Sequence, residues 1–113
     1  MDDVQEKNEF IEKLKILNQV KDALITEVRG IESRGVSKTQ AQNLREYAVQ
    51  TNSIEEVLLY IDYQCARDRN LKEPGQELRK LMGKYKNRGI EVIRYMLGIF
   101  ARHVMIQSKE RGD

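Results

Sequence analysis

Arg67 and Arg69 stand two residues apart near the end of the stretch YIDYQCARDRN, residues 60–70, just after Tyr60 and Tyr63. These residue types can share one task. A guanidinium fork grips phosphate, and a tyrosine ring stacks on a base. At about 100° per residue on a helix, Tyr60, Tyr63 and Arg67 fall on one face. Ile54, Leu58, Ile61 and Cys65 fall on the opposite one. The tyrosines have two readings, a ligand-facing surface or a second packed face against a neighbouring helix. The arginines are hard to bury without a partner charge, for which Asp62, Asp68 and Glu73 are the nearby candidates.

A second cluster, RKLMGKYKNR at residues 79–88, carries five basic residues and no acid. A polyanion can dock on such a run, and a solvated helix face is the alternative. The net charge of +2 hides an asymmetry: residues 1–33 hold 5 Lys/Arg against 8 Asp/Glu, and residues 34–113 hold 15 against 10. The candidate phosphate contacts are therefore Arg67, Arg69, Lys80, Lys84, Lys86 and Arg88, with Lys38, Arg45, Arg94 and Arg102 behind them. Arg94 has a structural alternative, a pair with Glu91.

Groups that could converge on bond-breaking chemistry are sparse. His103 is the only histidine and Cys65 the only cysteine, so no metal-binding spacing and no disulfide framework can be written. On a mostly apolar helix His103 reads as a packed or rim residue, and Cys65 as a small hydrophobe on a buried stripe. No glycine-rich phosphate loop is present, and the carboxylates scatter along solvated faces. No catalytic residue, metal, cofactor or small-molecule substrate is expected. No apolar run approaches the roughly 20 residues that span a bilayer. The opening MDDVQEKNEF is acidic and polar, unlike a secretory leader. These features point to a cytoplasmic protein without a membrane partner.

The elements that would position these residues all have the helical period. A long acidic helix is expected from about residue 4 to 30, with Phe10, Leu14, Leu17, Leu24, Val28 and Ile31 as its stripe and Gly30 and Gly35 as stops. Ser37 with Gln40, and Ser53 with Glu56, carry the capping-box spacing that opens the second and third helices. Ala41, Leu44 and Ala48 line the second. The stretch NLKEPG reads as a loop, with Pro74 at a first helical position. The fourth helix buries Leu78, Leu81, Met82 and Tyr85. Gly89 separates it from a last helix over about 90–109, apolar on most sides and so central. The expected fold is all-α, a compact single-domain bundle of about five helices, with residues 1–33 as the long acidic helix and 36–113 as a basic core.

Three stretches in order are similar to motifs of one family. TQAQNL (39–44) resembles Ser/Thr-Gln-Ile/Leu-Arg-Asn-Ile/Leu, YQCARD (63–68) resembles Tyr-Gln-Ala-Gly-Arg-Asp, and RYMLGIFARH (94–103) resembles Arg-Tyr-Met-Glu-Ala-Leu/Val-Val-Ala-Tyr-His, followed by a short basic tail, KERGD. The chain so resembles the small subunit of the type III-A CRISPR effector, the Csm complex, over roughly residues 36–113. There are departures. The motif arginine falls on Gln42, with Arg45 following it; lysines fall on Leu58 and Tyr60; a glycine is Ala66; a glutamate is Leu97. The resemblance supports Arg67 best, then Arg94, then His103 by position.

The resemblance implies a non-catalytic scaffold of antiviral defence. Copies line up along the CRISPR RNA and target RNA, against the repeated backbone subunit and the large polymerase-like subunit. They hold RNA backbone without reading sequence. Two other readings stand beside it. A helical interaction or dimerisation module without RNA binding is suggested by the long first helix, which can pack on a symmetry mate. A DNA-binding regulator would need 37–48 as a recognition helix, where base-reading side chains are sparse.

Overall fold

Two serines set the helix boundaries in the middle of the chain. The Ser37 hydroxyl accepts from the Gln40 amide at 3.0 Å, and the Ser53 hydroxyl from the Glu56 amide at 3.2 Å. Each satisfies one of the donors left open at a helix start. Neither capping box is reciprocal: the Gln40 amide turns to Gln64 and Asp68, while the Glu56 carboxylate accepts from the Thr51 hydroxyl.

The computed structural model describes residues 2–110, with side chains for 3–109. Its helices are α1 (Asp2–Arg29), α2 (Lys38–Gln50), α3 (Ile54–Arg67), α4 (Lys72–Tyr85) and α5 (Ile90–Glu110). Short 3-10 turns at Arg69–Leu71 and Lys86–Arg88 lead into and out of α4. No strand occurs among the described residues.

α5 is the central helix. It packs on α1, α2 and α4, and α3 bridges α2 and α4. Ile93, Met96, Leu97, Phe100 and Val104 of α5 meet Leu24 and Val28 of α1, Leu44 and Ala48 of α2, Val57 and Ile61 of α3, and Leu78 and Met82 of α4 in one core. Full burial of each larger side chain contributes about 1.5–3 kcal/mol, which is what the period-3.6 patterns express.

Two expectations are corrected. NLKEPG is not a loop: the chain passes from the 3-10 turn straight into α4, and Pro74 is the third helical residue. Its missing N–H costs nothing there, since first-turn donors have no helical partner. Gly30 and Gly35 stand just past the end of α1 at Arg29, as expected of stops; neither takes left-handed backbone, and among the described residues only Gly89 has a positive φ, 101°. Finally, the α1 stripe is covered only in its second half. Leu24, Val28 and Ile31 are buried, whereas Phe10 and Leu14 stay 63% and 42% exposed. A 28-residue helix is about 42 Å long, and its first half overhangs the bundle, with residues 3–15 all exposed.

Candidate nucleic-acid interface

The basic side chains divide by whether a carboxylate already holds them. Lys80 pairs with Glu77 at 3.4 Å, Lys84 with Glu27 at 3.1 Å and Lys86 with Glu55 at 2.9 Å. Each belongs to the run at 79–88, so that run is largely neutralised by acids from α1, α3 and α4. The Lys86 ammonium, with a backbone amide, holds the Glu55 carboxyl below the usual carboxylate range. Lys38, Arg45, Arg67, Arg69, Arg88 and Arg102 form no ion pair within 4.0 Å among the described residues.

Arg67 and Arg69 lack partners because their neighbours are engaged. Arg79 forks onto Asp62 at 2.8 and 3.0 Å. The Asp68 carboxylate accepts from the Asn70 amide at 3.0 Å and from Gln40 at 3.4 Å, capping the 3-10 turn. Arg67 lies over the Tyr63 ring, 5.3 Å from its centroid, and its Nη1 donates to the hydroxyl at 3.4 Å. Both are exposed, a guanidinium and a ring open to solvent together. Tyr60 parts from them. It stacks on Tyr47 of α2 at 4.1 Å and 2°, so it joins α3 to α2 as a packing ring.

A second surface forms where α2 meets α5. Arg45, Val49, Arg94, Tyr95, Gly98 and Arg102 line a groove of about 260 Å³. Gly98 lies beside the Arg45 side chain, and a Cβ there would meet Nε at an ordinary 3.9 Å. Arg94 is committed to the fold. Its Nε donates to the Ala48 carbonyl at 2.9 Å, Nη1 to Glu91 at 2.6 Å, and Nη2 to the Thr51 carbonyl at 2.8 Å and to Asn52 at 3.0 Å. The fork closes the carbonyl end of α2, which no glycine caps. Past Arg102 the groove opens into a hollow of about 230 Å³ with Arg29, Tyr95, Ile99 and Ile106. His103 borders it and donates from Nε2 to the Ile31 carbonyl at 3.0 Å, pinning the end of α1 to α5.

Arg29 and Tyr95 escaped the sequence reading. Their signals were present: a basic last turn just before Gly30, and the ring inside the RYM of the C-terminal motif. Lys38 and Arg88 lie exposed at the start of α2 and in the 3-10 turn after α4, away from this groove's lining. The KERGD tail falls largely outside the described residues.

Burial, with Asp62 and Asp68 nearby, pushes the Cys65 thiol up, so it stays protonated at neutral pH. Among the described residues no three His, Cys, Asp or Glu side chains are grouped to hold a metal ion. None of the described helices is long and apolar enough to cross a membrane. No protein-family model matches the chain, and the comparisons with curated proteins and with solved structures find no match either.

Proposed function

We propose that the chain is a non-catalytic small subunit of a type III-A CRISPR (Csm) interference complex, working in the cytoplasm. In this reading it holds the backbones of CRISPR RNA and target RNA without reading sequence, and packs against the backbone and polymerase-like subunits. One observation carries it. Arg45, one residue past TQAQNL, and Arg102, within RYMLGIFARH, are far apart in sequence yet line one groove beside Tyr95, where the lining carboxylate, Glu91, is already held by Arg94. Unpaired guanidiniums along a channel suit phosphates, and phosphate contacts are independent of base sequence. Tyr63 with Arg67, from the middle motif, offers a second contact of the same kind.

The test is a salt series of binding to a single-stranded RNA of about 40 nucleotides. The wild type is compared with Arg45→Ala/Arg102→Ala and with Arg67→Ala. The reading expects weak binding with a steep salt slope, made shallower by each variant at unchanged Tm. A tagged chain should also capture the Csm backbone subunit. Tight binding to duplex DNA in preference to RNA, or capture of no Csm subunit, would sink it.

A further inference from the structure

The crease between α2 and α5 does not end at Arg45 and Arg102. Gln42 stands one turn before Arg45 on α2, and Ala101 and Met105 stand one and two turns past Gly98 on α5. Here the crease runs on into a notch of about 330 Å³, lined by Lys38, Thr39, Gln42, Asn43, Ala101 and Met105. Small-molecule sites occupy roughly 300–1,000 Å³, so this one has room for a single small group. Its two walls differ. The α5 wall is apolar, and its Met105 is 47% exposed, a polarizable thioether with nothing laid over it. The α2 wall is polar: a hydroxyl and two amides on one stretch of helix, with Lys38 at its start. The Gln42 amide makes one long bond, to Glu46 at 3.4 Å. Among the described residues no hydrogen bond within the chain takes up the Thr39 hydroxyl or the Asn43 amide. Nor does a carboxylate pair with Lys38.

We infer that the notch takes one unstacked base of the bound strand, adenine before the others. The inference rests on the RNA reading above and adds a base contact where that reading has only phosphates. A splayed base needs a face to lie on and hydrogen-bonding groups for its edge. Met105 supplies the face, since a thioether packs well against an aromatic ring. Gln42 and Asn43 supply the edge. A side-chain amide sets a donor beside an acceptor. Adenine answers with its N7 acceptor and N6 donor, whereas guanine in the same pose presents two acceptors, which suit arginine instead. A pyrimidine covers less of the apolar wall. Lys38 then meets the phosphate beyond the base. On α2 it lies seven residues from Arg45, about 10 Å along the axis, so phosphates held at Arg45 and at Lys38 flank the notch on either side.

The first measurement is an NMR titration of the full chain with AMP, GMP, CMP and inorganic phosphate at millimolar concentration. AMP should shift the side-chain amides of Gln42 and Asn43 and the Met105 methyl more than the other nucleotides do, and phosphate alone should leave these signals in place. The second compares a short oligouridine with the same oligomer carrying one central adenosine. The adenosine oligomer should bind about fivefold more tightly, the lower end of what one bidentate base contact discriminates. Gln42→Ala/Asn43→Ala should remove that preference at unchanged Tm and salt slope, because neither side chain carries charge. Arg45→Ala/Arg102→Ala should make the slope shallower and keep the preference. Equal affinity for the two oligomers, or AMP that leaves the notch signals unmoved, overturns the inference while the phosphate contacts stand. A preference that survives Gln42→Ala/Asn43→Ala overturns it equally. RNA that fails to bind while AMP still shifts the notch would sink the phosphate reading and leave the base site in place.

Discussion

The Tyr85 hydroxyl donates to the Glu27 carboxylate at 2.7 Å, and this one bond ties the end of α4 to α1 across 58 positions of sequence. Lys84 joins the same carboxylate at 3.1 and 3.2 Å and lies 5.4 Å from the Tyr85 ring centroid. Burial works against the Glu27 charge, but the hydroxyl and the ammonium outweigh it and hold the carboxyl below its usual range. The contact fixes where the basic α4 lies on the acidic helix. It also makes Lys84 part of the fold as well as part of the surface.

Tyr85→Phe keeps the buried ring and removes the donor. Hydrogen bonds to charged groups contribute about 1.5–3 kcal/mol, and Glu27 retains Lys84, so a loss of about 1–2 kcal/mol is expected. For a chain of this size that lowers Tm by roughly 5–10 °C. Calorimetry of the two proteins side by side decides it; equal Tm values would mean the bond adds nothing.

The same cluster sets a pH window. Glu27 and Glu55 titrate below the usual carboxylate range when folded. Their contributions are therefore present above about pH 4.5 and lost as pH falls through the lowered values. Lys84 is raised chiefly by its bond to Glu27, and Tyr85 by burial and then by Glu27. Those contributions are present below about pH 10 and lost as pH rises through the raised values. Tm should be flat between about pH 5 and 8.5 and fall on both sides, the raised Cys65 thiol adding to the alkaline fall. Glu27→Gln should lower the plateau and flatten both flanks, because it removes its own titration and the main cause of the Lys84 shift. Unchanged flanks would refute the assignment.

What was legible in the sequence was local. Ser37 and Ser53 announce helix starts because a hydroxyl caps an amide three residues on, a geometry carried within one turn. Leu78, Met82 and Tyr85 announce a buried stripe because their spacing matches the helix. What was hidden depends on distant residues. Periodicity marks Phe10 and Leu14 as apolar but does not say whether anything covers them. Tyr60 and Tyr63 look alike on α3 until Tyr47 of α2 takes one of them. The run at 79–88 looks free until Glu27 and Glu55, from other helices, meet its lysines. Arg94 was readable as a Glu91 partner, but not as the clamp on Ala48 and Thr51, since those acceptors are backbone carbonyls.

Gly75 of α4 faces Cys65 of α3. It is buried, and a Cβ there would collide with the Cys65 sulfur while meeting Ile61 and Leu71 at an ordinary 3.6 Å. Gly75→Ala should therefore destabilise, by about 1–3 kcal/mol. In a Cys65→Ala background the collision is gone, and the better helix propensity of alanine, worth up to about 1 kcal/mol, should make the same substitution neutral or stabilising. A double-mutant cycle in denaturant reads the change of sign. Additive effects would show that another contact governs Gly75.

Arg94→Ala should behave as a folding mutation. It leaves two carbonyls at the end of α2 without their donor and strands Glu91, a loss of about 2–4 kcal/mol. Arg94→Lys should recover little, since one ammonium cannot span acceptors that a planar fork reaches together. RNA affinity per folded molecule should be unchanged under stabilising conditions. A fall in affinity without a fall in denaturation midpoint would move Arg94 to the binding surface.

The two groups of cations should separate in salt. A lysine already held by a carboxylate must leave it to meet phosphate, so its net gain is small, whereas Arg45 and Arg102 have nothing to give up. Each phosphate contact to single-stranded RNA contributes about 0.7 to the slope of log affinity against log salt, so Arg45→Ala/Arg102→Ala should reduce the slope by about 1.4. Lys84→Ala/Lys86→Ala should reduce it by much less. It should also lower stability slightly, as the loss of exposed pairs does. Freeing the lysines works in the opposite direction: Glu27→Gln/Glu55→Gln should tighten RNA binding and steepen the slope. Equal losses from the arginine and lysine pairs, with no gain from removing the acids, would show that the ion pairs do not govern which cations are available to RNA.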